Sequence, residues 1–319
     1  MKTARVAGLG CVFAMLVTVA AHAQIIPTFI NQWGSLGSGP GQFSYPYGGT
    51  VAPDGTVLIT DQYNFRIQAF GPTGEFIRSW GSAGSGPGQF GIQIGITTDP
   101  QGQIYVADYG NGRIQVFSPT GAFLRQFANG VQTTDVAIGP DGLIYATGRS
   151  ALGQNQVAQV NVYDASGALR KRFGSFTQPV SLAFAPDGTL WVADGGNQFQ
   201  LLEQFDPASG ALLATFPKQS IEPSFVSFGG LCIPNSGVLY LCDYEGGRVF
   251  MFNPSGGVIG TFGEPGSQTG QLNSAVDIAL GPNGDVYVVD LMGHRIVHLG
   301  PGATPIRKES WGAVKVAYR

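Results

Sequence analysis

Residues 33–43 read Trp33-Gly34-Ser35-Leu36-Gly37-Ser38-Gly39-Pro40-Gly41-Gln42-Phe43, and residues 80–90 repeat them as Trp80-Gly81-Ser82-Ala83-Gly84-Ser85-Gly86-Pro87-Gly88-Gln89-Phe90. The aromatic that opens each copy belongs to a longer series. Trp33, Trp80, Phe127, Phe173, Phe216, Phe262 and Trp311 each close a short apolar run, at intervals of 47, 47, 46, 43, 46 and 49 residues. A fixed period in this range, with short strands and glycine-rich turns, is the mark of a β-propeller, in which each repeat is one blade.

Every unit has the same parts. An apolar strand runs into a Pro-containing turn, as in Ala52-Pro53-Asp54-Gly55, Asp99-Pro100-Gln101-Gly102 and Gly281-Pro282-Asn283-Gly284. Pro presets the first turn position and Gly accepts the positive φ, so these are hairpin turns. A β-branched and aromatic strand follows and ends at Asp61, Asp108, Asp194, Asp243 or Asp290. A tight loop leads to a third strand that opens on Arg66, Arg113, Arg248 or Arg295, and a second turn leads to a fourth. Four antiparallel strands per unit and six units predict an all-β, six-bladed propeller.

The pattern resembles the NHL repeat: P-x-G, an apolar strand ending in Asp, then Arg-[Ile/Val]-x-x-[Phe/Leu], then [Trp/Phe]-Gly. The Gly-Ser-Gly-Pro-Gly-Gln-Phe linker is similar to that family's connection between blades. The resemblance covers roughly residues 28–311. It implies a six-bladed propeller of an exported bacterial type and says little about activity, because one fold hosts many functions.

Seven candidate outer strands compete for six places. The register expects Phe29–Trp33 to pair with Arg295–Leu299 and close the ring, because it runs straight into a full linker. Pro305–Trp311 is the rival. Closure leaves only short outer edges.

The chain has 319 residues and a formal charge of −3. Residues 1–23 read as a secretory signal peptide: Lys2 and Arg5, an apolar run from Val6 to Ala21, then Ala21-His22-Ala23 before Gln24. Cys11 lies early in that run, which argues against a lipoprotein site. Residues 24–319 are expected to form a single propeller domain, periplasmic or secreted, with no membrane span, and monomeric. The mature chain keeps 15 basic against 20 acidic residues, a charge of −5. That balance argues against nucleic acid, whose binders carry a basic face. Cys232 and Cys242 lie on the two strands of one hairpin as diagonal neighbours, a separation of about 7–8 Å that suits two buried thiols better than a disulfide.

Linkers and second-to-third-strand loops share one face, which carries the Asp-x4-Arg pairs. They read in two ways. The guanidinium groups could be presented to a ligand, or each Asp could accept backbone N–H bonds in its own loop and pair with its Arg. On the binding reading the ligand residues are Tyr63, Arg66, Tyr109, Arg113, Tyr244, Arg248 and Arg295, with the 149–159 loop giving selectivity and a protein, peptide or glycan as partner. It expects Ala at both 113 and 248 to weaken binding with little loss of stability. Two blades depart from the pattern: Gly148 replaces the Asp of blade 3, and Phe199 stands five residues after Asp194.

Counting back five residues from each turn Pro gives Gly48, Gly95, Asp135, Ser181, Gly229 and Asp277. These positions open the innermost strands, so Asp135 and Asp277, half a ring apart, should face each other across the channel. They could hold a cation such as Ca²⁺, or cap neighbouring backbone amides. The first option carries the alternative function, a lyase or hydrolase at a channel metal. Peptidyl-α-hydroxyglycine lyases have a similar fold with several channel His ligands for zinc, whereas this mature chain has only His294 and His298, both in blade 6.

Overall fold

The computed structural model describes residues 26–128, 131–150, 158–195, 200–218, 224 and 226–301. The signal peptide, most of the 149–159 loop, Phe199 and the Pro305–Trp311 segment therefore lie outside the described residues.

Six four-stranded antiparallel sheets form the ring. Their innermost strands are Pro46–Val51, Gln93–Thr98, Val131–Ile138, Pro179–Phe184, Phe228–Cys232 and Ala275–Leu280. The first five blades are continuous in sequence. The sixth takes its outer strand from the N-terminal side, Thr28–Trp33, which pairs with Arg295–Gly300 in the register Thr28↔Gly300 to Trp33↔Ile296. His298 clasps this seam. It is 4% exposed, its Nδ1 lies 3.1 Å from Asn31 Oδ1 and its Nε2 3.1 Å from Asp285 Oδ1. Its ring stacks on Tyr287 at 4.6 Å.

The period seen in the sequence has a packing cause. In five of the six blades the outer-strand aromatic lies against the third-to-fourth-strand turn glycine of the next: Trp33 on Gly74, Trp80 on Gly121, Phe127 on Gly167, Phe173 on Gly210 and Phe216 on Gly256. Those glycines have φ between +79° and +99°, and a Cβ on any of them would stand within 2.8 Å of the ring. The aromatic can therefore seal the gap between blades only where the turn carries no side chain. Alternating apolar residues of the strands fill the wedges between blades, with Trp191, Tyr145, Tyr287, Phe43, Phe70 and Phe90 fully buried among them.

Candidate functional site: the arginine face and the channel

The arginines act as clamps inside the fold. Arg113 makes five hydrogen bonds: Nε donates to Asp108 at 2.7 Å, Nη1 to Ser85 O and Gln126 Oε1, and Nη2 to Gly86 O and Gln89 O. Arg66 binds Asp61 and the carbonyls of Ser38, Gly39 and Gln42 in the same manner. Arg295 binds Asp290 and the carbonyls of Ser267, Gly266 and Gln271. Each guanidinium thus ties its own Asp to the linker that enters its blade. Residues 263–272 form a third linker of this kind that the sequence comparison missed, since Pro-Gly-Gln-Phe is replaced by Thr269-Gly270-Gln271-Leu272. With 6% and 7% exposure, Arg113 and Arg295 are not presented to a ligand. Arg248 is looser, 3.5 Å from Asp243 and more exposed than the other three, with its guanidinium 5.3 Å over the Phe250 ring.

Of the three tyrosines, Tyr63 is 54% exposed and packs on Tyr45 at 4.9 Å. Tyr45 in turn meets the edge of His294 at 5.0 Å and donates its backbone N–H to His294 Nδ1. Tyr109 and Tyr244 are half-buried, and Tyr244 packs against the core of blade 6. The two histidines therefore serve different joints, His294 at the linker face and His298 at the seam.

Blade 4 corrects one alignment. Asp194 pairs with Leu201, so Leu201 occupies the arginine place and not Phe199. The loop between them is two residues longer than in blades 1 and 2, which shifts the register. Glu203 then falls where Gln68 and Gln115 sit. Burial pushes its carboxyl up to about 7, with the Asp194 charge adding to the effect. A comparison of third strands from this register would have found it.

At the channel, Asp135 and Asp277 line one chamber with Ser181 and Cys232. Both are half-buried, their open surface facing the lumen. Each bridges two blades. Asp135 Oδ2 accepts from Ser181 Oγ at 2.9 Å and Leu182 N at 3.0 Å, and Oδ1 accepts from Val136 N. Ser181 Oγ accepts from Leu231 N at 3.0 Å, which extends the chain to blade 5. Asp277 Oδ2 accepts from Gly49 N of blade 1 at 2.8 Å. The glycines of the preceding blades make room: a Cβ on Gly95 would stand 2.3 Å from Asp135 Oδ1, and one on Gly230 would stand 1.9 Å from Asp277 Oδ1. In blade 5 the residue that abuts Asp277 is thus Gly230 and not Gly229, because Pro234 comes one residue earlier in its turn relative to the pairing of Leu231 with Leu241.

The channel is narrow towards the linker face, about 20 Å³ between Tyr47, Ile94, Thr134 and Val180. Beyond the two carboxylates it widens to about 250 Å³ and runs to the ends of the innermost strands, at Val51, Thr98, Ile138, Phe184, Ile233 and Leu280. The roomy side is therefore the turn face, opposite the one that the insertions and arginines suggested. Enclosure raises Asp135 to about 6 against the hydrogen bonds it accepts. Asp277 rises to about 8, from enclosure first and the charge of Asp135 second.

The fit to Ca²⁺ is partial. Among the described residues no group of three or more His, Cys, Asp and Glu could hold a metal. The two aspartates already accept backbone N–H bonds, whereas Ca²⁺ needs six to eight oxygens. Cys232 and Cys242 are free thiols, Cys232 paired with Tyr240 and Cys242 with Val249. Burial pushes both thiols up. Among the described residues no helix is long and apolar enough to cross a membrane.

No curated protein matches the sequence. Solved structures with this fold include a gluconolactonase from Xanthomonas campestris, 17% identical with a TM-score of 0.66 over 87% of this chain and 97% of that one. Regucalcin from Agrobacterium tumefaciens, described as a calcium-binding protein, is 15% identical with a TM-score of 0.64 over 86% and 94%. A virginiamycin B lyase from Staphylococcus aureus, crystallised with quinupristin, is 16% identical with a TM-score of 0.59 over 89% and 87%. At these identities the likeness is one of fold. The NHL repeat profile matches residues 94–117, the innermost three strands of blade 2. Together with the six four-stranded blades, that match supports placing this chain in the NHL-repeat propeller family.

Proposed function

We propose that this chain is a hydrolase or lyase that acts on a small molecule in the turn-face chamber, with Asp135 and Asp277 as its proton-transfer pair. The observation that carries the reading is the meeting of two carboxylates from opposite blades at the floor of one 250 Å³ chamber. Carboxyls whose environments push their pKa values apart divide into a base and an acid. Asp135, oriented by Ser181 and Leu182, ionises first and takes a proton from water or from the substrate. Asp277 keeps its proton at neutral pH and delivers it to a leaving oxygen. The fold neighbours include a lactone hydrolase and an antibiotic lyase, which favours this class over a purely structural ring. The proposed setting is the periplasm or the exterior, from the signal-peptide reading.

A panel of small lactones and esters, followed by proton release, tests this. Turnover that survives chelation and is lost in Asp135→Asn supports acid–base chemistry. Turnover that disappears with a stoichiometric cation on chelation makes the pair metal ligands instead. A protein inert across the panel, with ligand capture indifferent to Asp135→Asn, sinks the enzyme reading. The second reading is then a binding module for a protein, peptide or glycan at the linker face. Its specific support is the exposed Tyr63, held out by Tyr45 and His294; aromatics of this kind dominate interfaces.

A further inference from the structure

The turn-face chamber carries charge of one sign. Asp135 and Asp277 stand at its floor, and among the described residues that line it there is no Lys, Arg or His. The basic side chains are spent elsewhere. Arg66, Arg113 and Arg295 close on linker carbonyls. Arg78, Arg125 and Lys171 sit in outer strands, bonded to Pro119, Tyr105 and Pro207. Among the described residues, nothing along the chamber wall balances a second negative charge.

The other polar side chains of the wall are neutral. Thr50, Thr97 and Thr98 line it from blades 1 and 2, and their hydroxyls bond no described residue. Ser181 is already used, donating to Asp135 and accepting from Leu231 N. Much of the remaining wall is apolar, with Ile138, Phe184, Ile233 and Leu280 at the open end. A cleft lined by one sign of charge between low-dielectric walls focuses its field on whatever enters.

We infer, resting on the hydrolase reading above, that the chamber is a charge filter that admits uncharged esters or lactones and expels the carboxylate their hydrolysis forms. Water adds across the acyl C–O bond. Its oxygen joins the acyl carbon, its proton passes to Asp135, the bond to the leaving oxygen breaks, and Asp277 protonates that oxygen. The acid formed releases its proton to water, as carboxylic acids do at neutral pH, and the proton on Asp135 returns to Asp277. An uncharged guest adds no charge to the chamber. An anionic product adds a like charge in an enclosed space, where charges a few ångströms apart repel more strongly than in water. Substrates that already carry a carboxylate or phosphate are refused at entry for the same reason.

Ligand-observed NMR on the full chain, with small amides and carboxylates matched in shape such as benzamide and benzoate, is the test. At pH 7 the amide should bind at least about tenfold more tightly than its carboxylate. Enclosure raises Asp135 to about 6 and Asp277 to about 8. The gap should therefore close to within about threefold at pH 5, where both hold protons and the ligand is still ionised, and widen at pH 9, where neither does. The Asp135→Asn/Asp277→Asn double variant should bind both members alike at every pH; the pH series on the wild type decides the matter if that variant does not fold. Equal affinity at pH 7, a gap indifferent to pH, or no binding of any amide overturns the inference. Discrimination in binding with no turnover of the ester panel keeps the filter and sinks the hydrolase. Equal turnover of neutral and anionic esters keeps the hydrolase and sinks the filter.

Discussion

Asp277→Asn removes one of the two facing carboxylates with almost no change of shape. The carboxyl is raised from an ordinary 3.8 to about 8 in the folded protein. Between those values the native state holds a proton that the unfolded chain has released. Stability therefore falls as pH rises from about 4 to about 8, and is flat above. The span of about four pH units, at ~1.36 kcal/mol each, sets a ceiling of ~5 kcal/mol. The open side of Asp277 meets channel water, and Asp135 releases its own proton over the lower part of the range, so about 2–4 kcal/mol is the expected loss. Asn cannot ionise. It has one oxygen for the N–H groups of Gly49 and Ile278, a cost of about 1 kcal/mol. Urea unfolding followed by tryptophan fluorescence at pH 5, 6.5 and 8, with chelator present, reads the outcome. The variant should match the wild type within about 1 kcal/mol at pH 5 and exceed it by about 1–3 kcal/mol at pH 8. Asp135→Asn should flatten only the part below about pH 6. Parallel losses in wild type and Asp277→Asn would refute the reasoning.

Other expectations follow from the clamps and close approaches. Arg113→Ala should cost about 3–5 kcal/mol, because it strands Asp108 and several linker carbonyls, whereas Arg248→Ala, with a longer and more exposed pair, should cost about 1 kcal/mol; equal costs by denaturant titration would contradict the clamp. Gly230→Ala should destabilise by about 1–3 kcal/mol through collision with Asp277 Oδ1, and a neutral effect would mean the waist is looser than described. His298→Ala should loosen the ring seam, so that hydrogen exchange rises first in Thr28–Trp33; unchanged protection there would remove the clasp.

Much of the fold was legible because it is written locally. The turn prolines and glycines, the strand patterns and the linker copies all act within one blade or between neighbours, and the ring repeats them. Asp135 and Asp277 could be placed face to face by counting from the turns, since each innermost strand runs at the same height. The hairpin register of Cys232 with Tyr240 was equally readable from the turn. The counting failed at Gly229, where Pro234 sits one place earlier in a turn of unchanged length, and at Phe199, where a longer loop moved the register. The arginines illustrate a different limit. Asp-x4-Arg shows that the two side chains lie near each other, but their remaining donors go to linker carbonyls 24–29 residues away in sequence.

By itself the sequence determined the number of blades, the strand order within each and all but one of the positions that reach the axis, because period and turn chemistry are properties of contiguous residues. Only the tertiary structure decided which groups are free to act. It consumed the guanidinium donors inside the blades and set Glu203 on the face of Asp194. It narrowed the channel on the linker face and opened it on the turn face. Those outcomes depend on closing the ring, which sets every innermost strand against two neighbours at once and leaves room only where both are small.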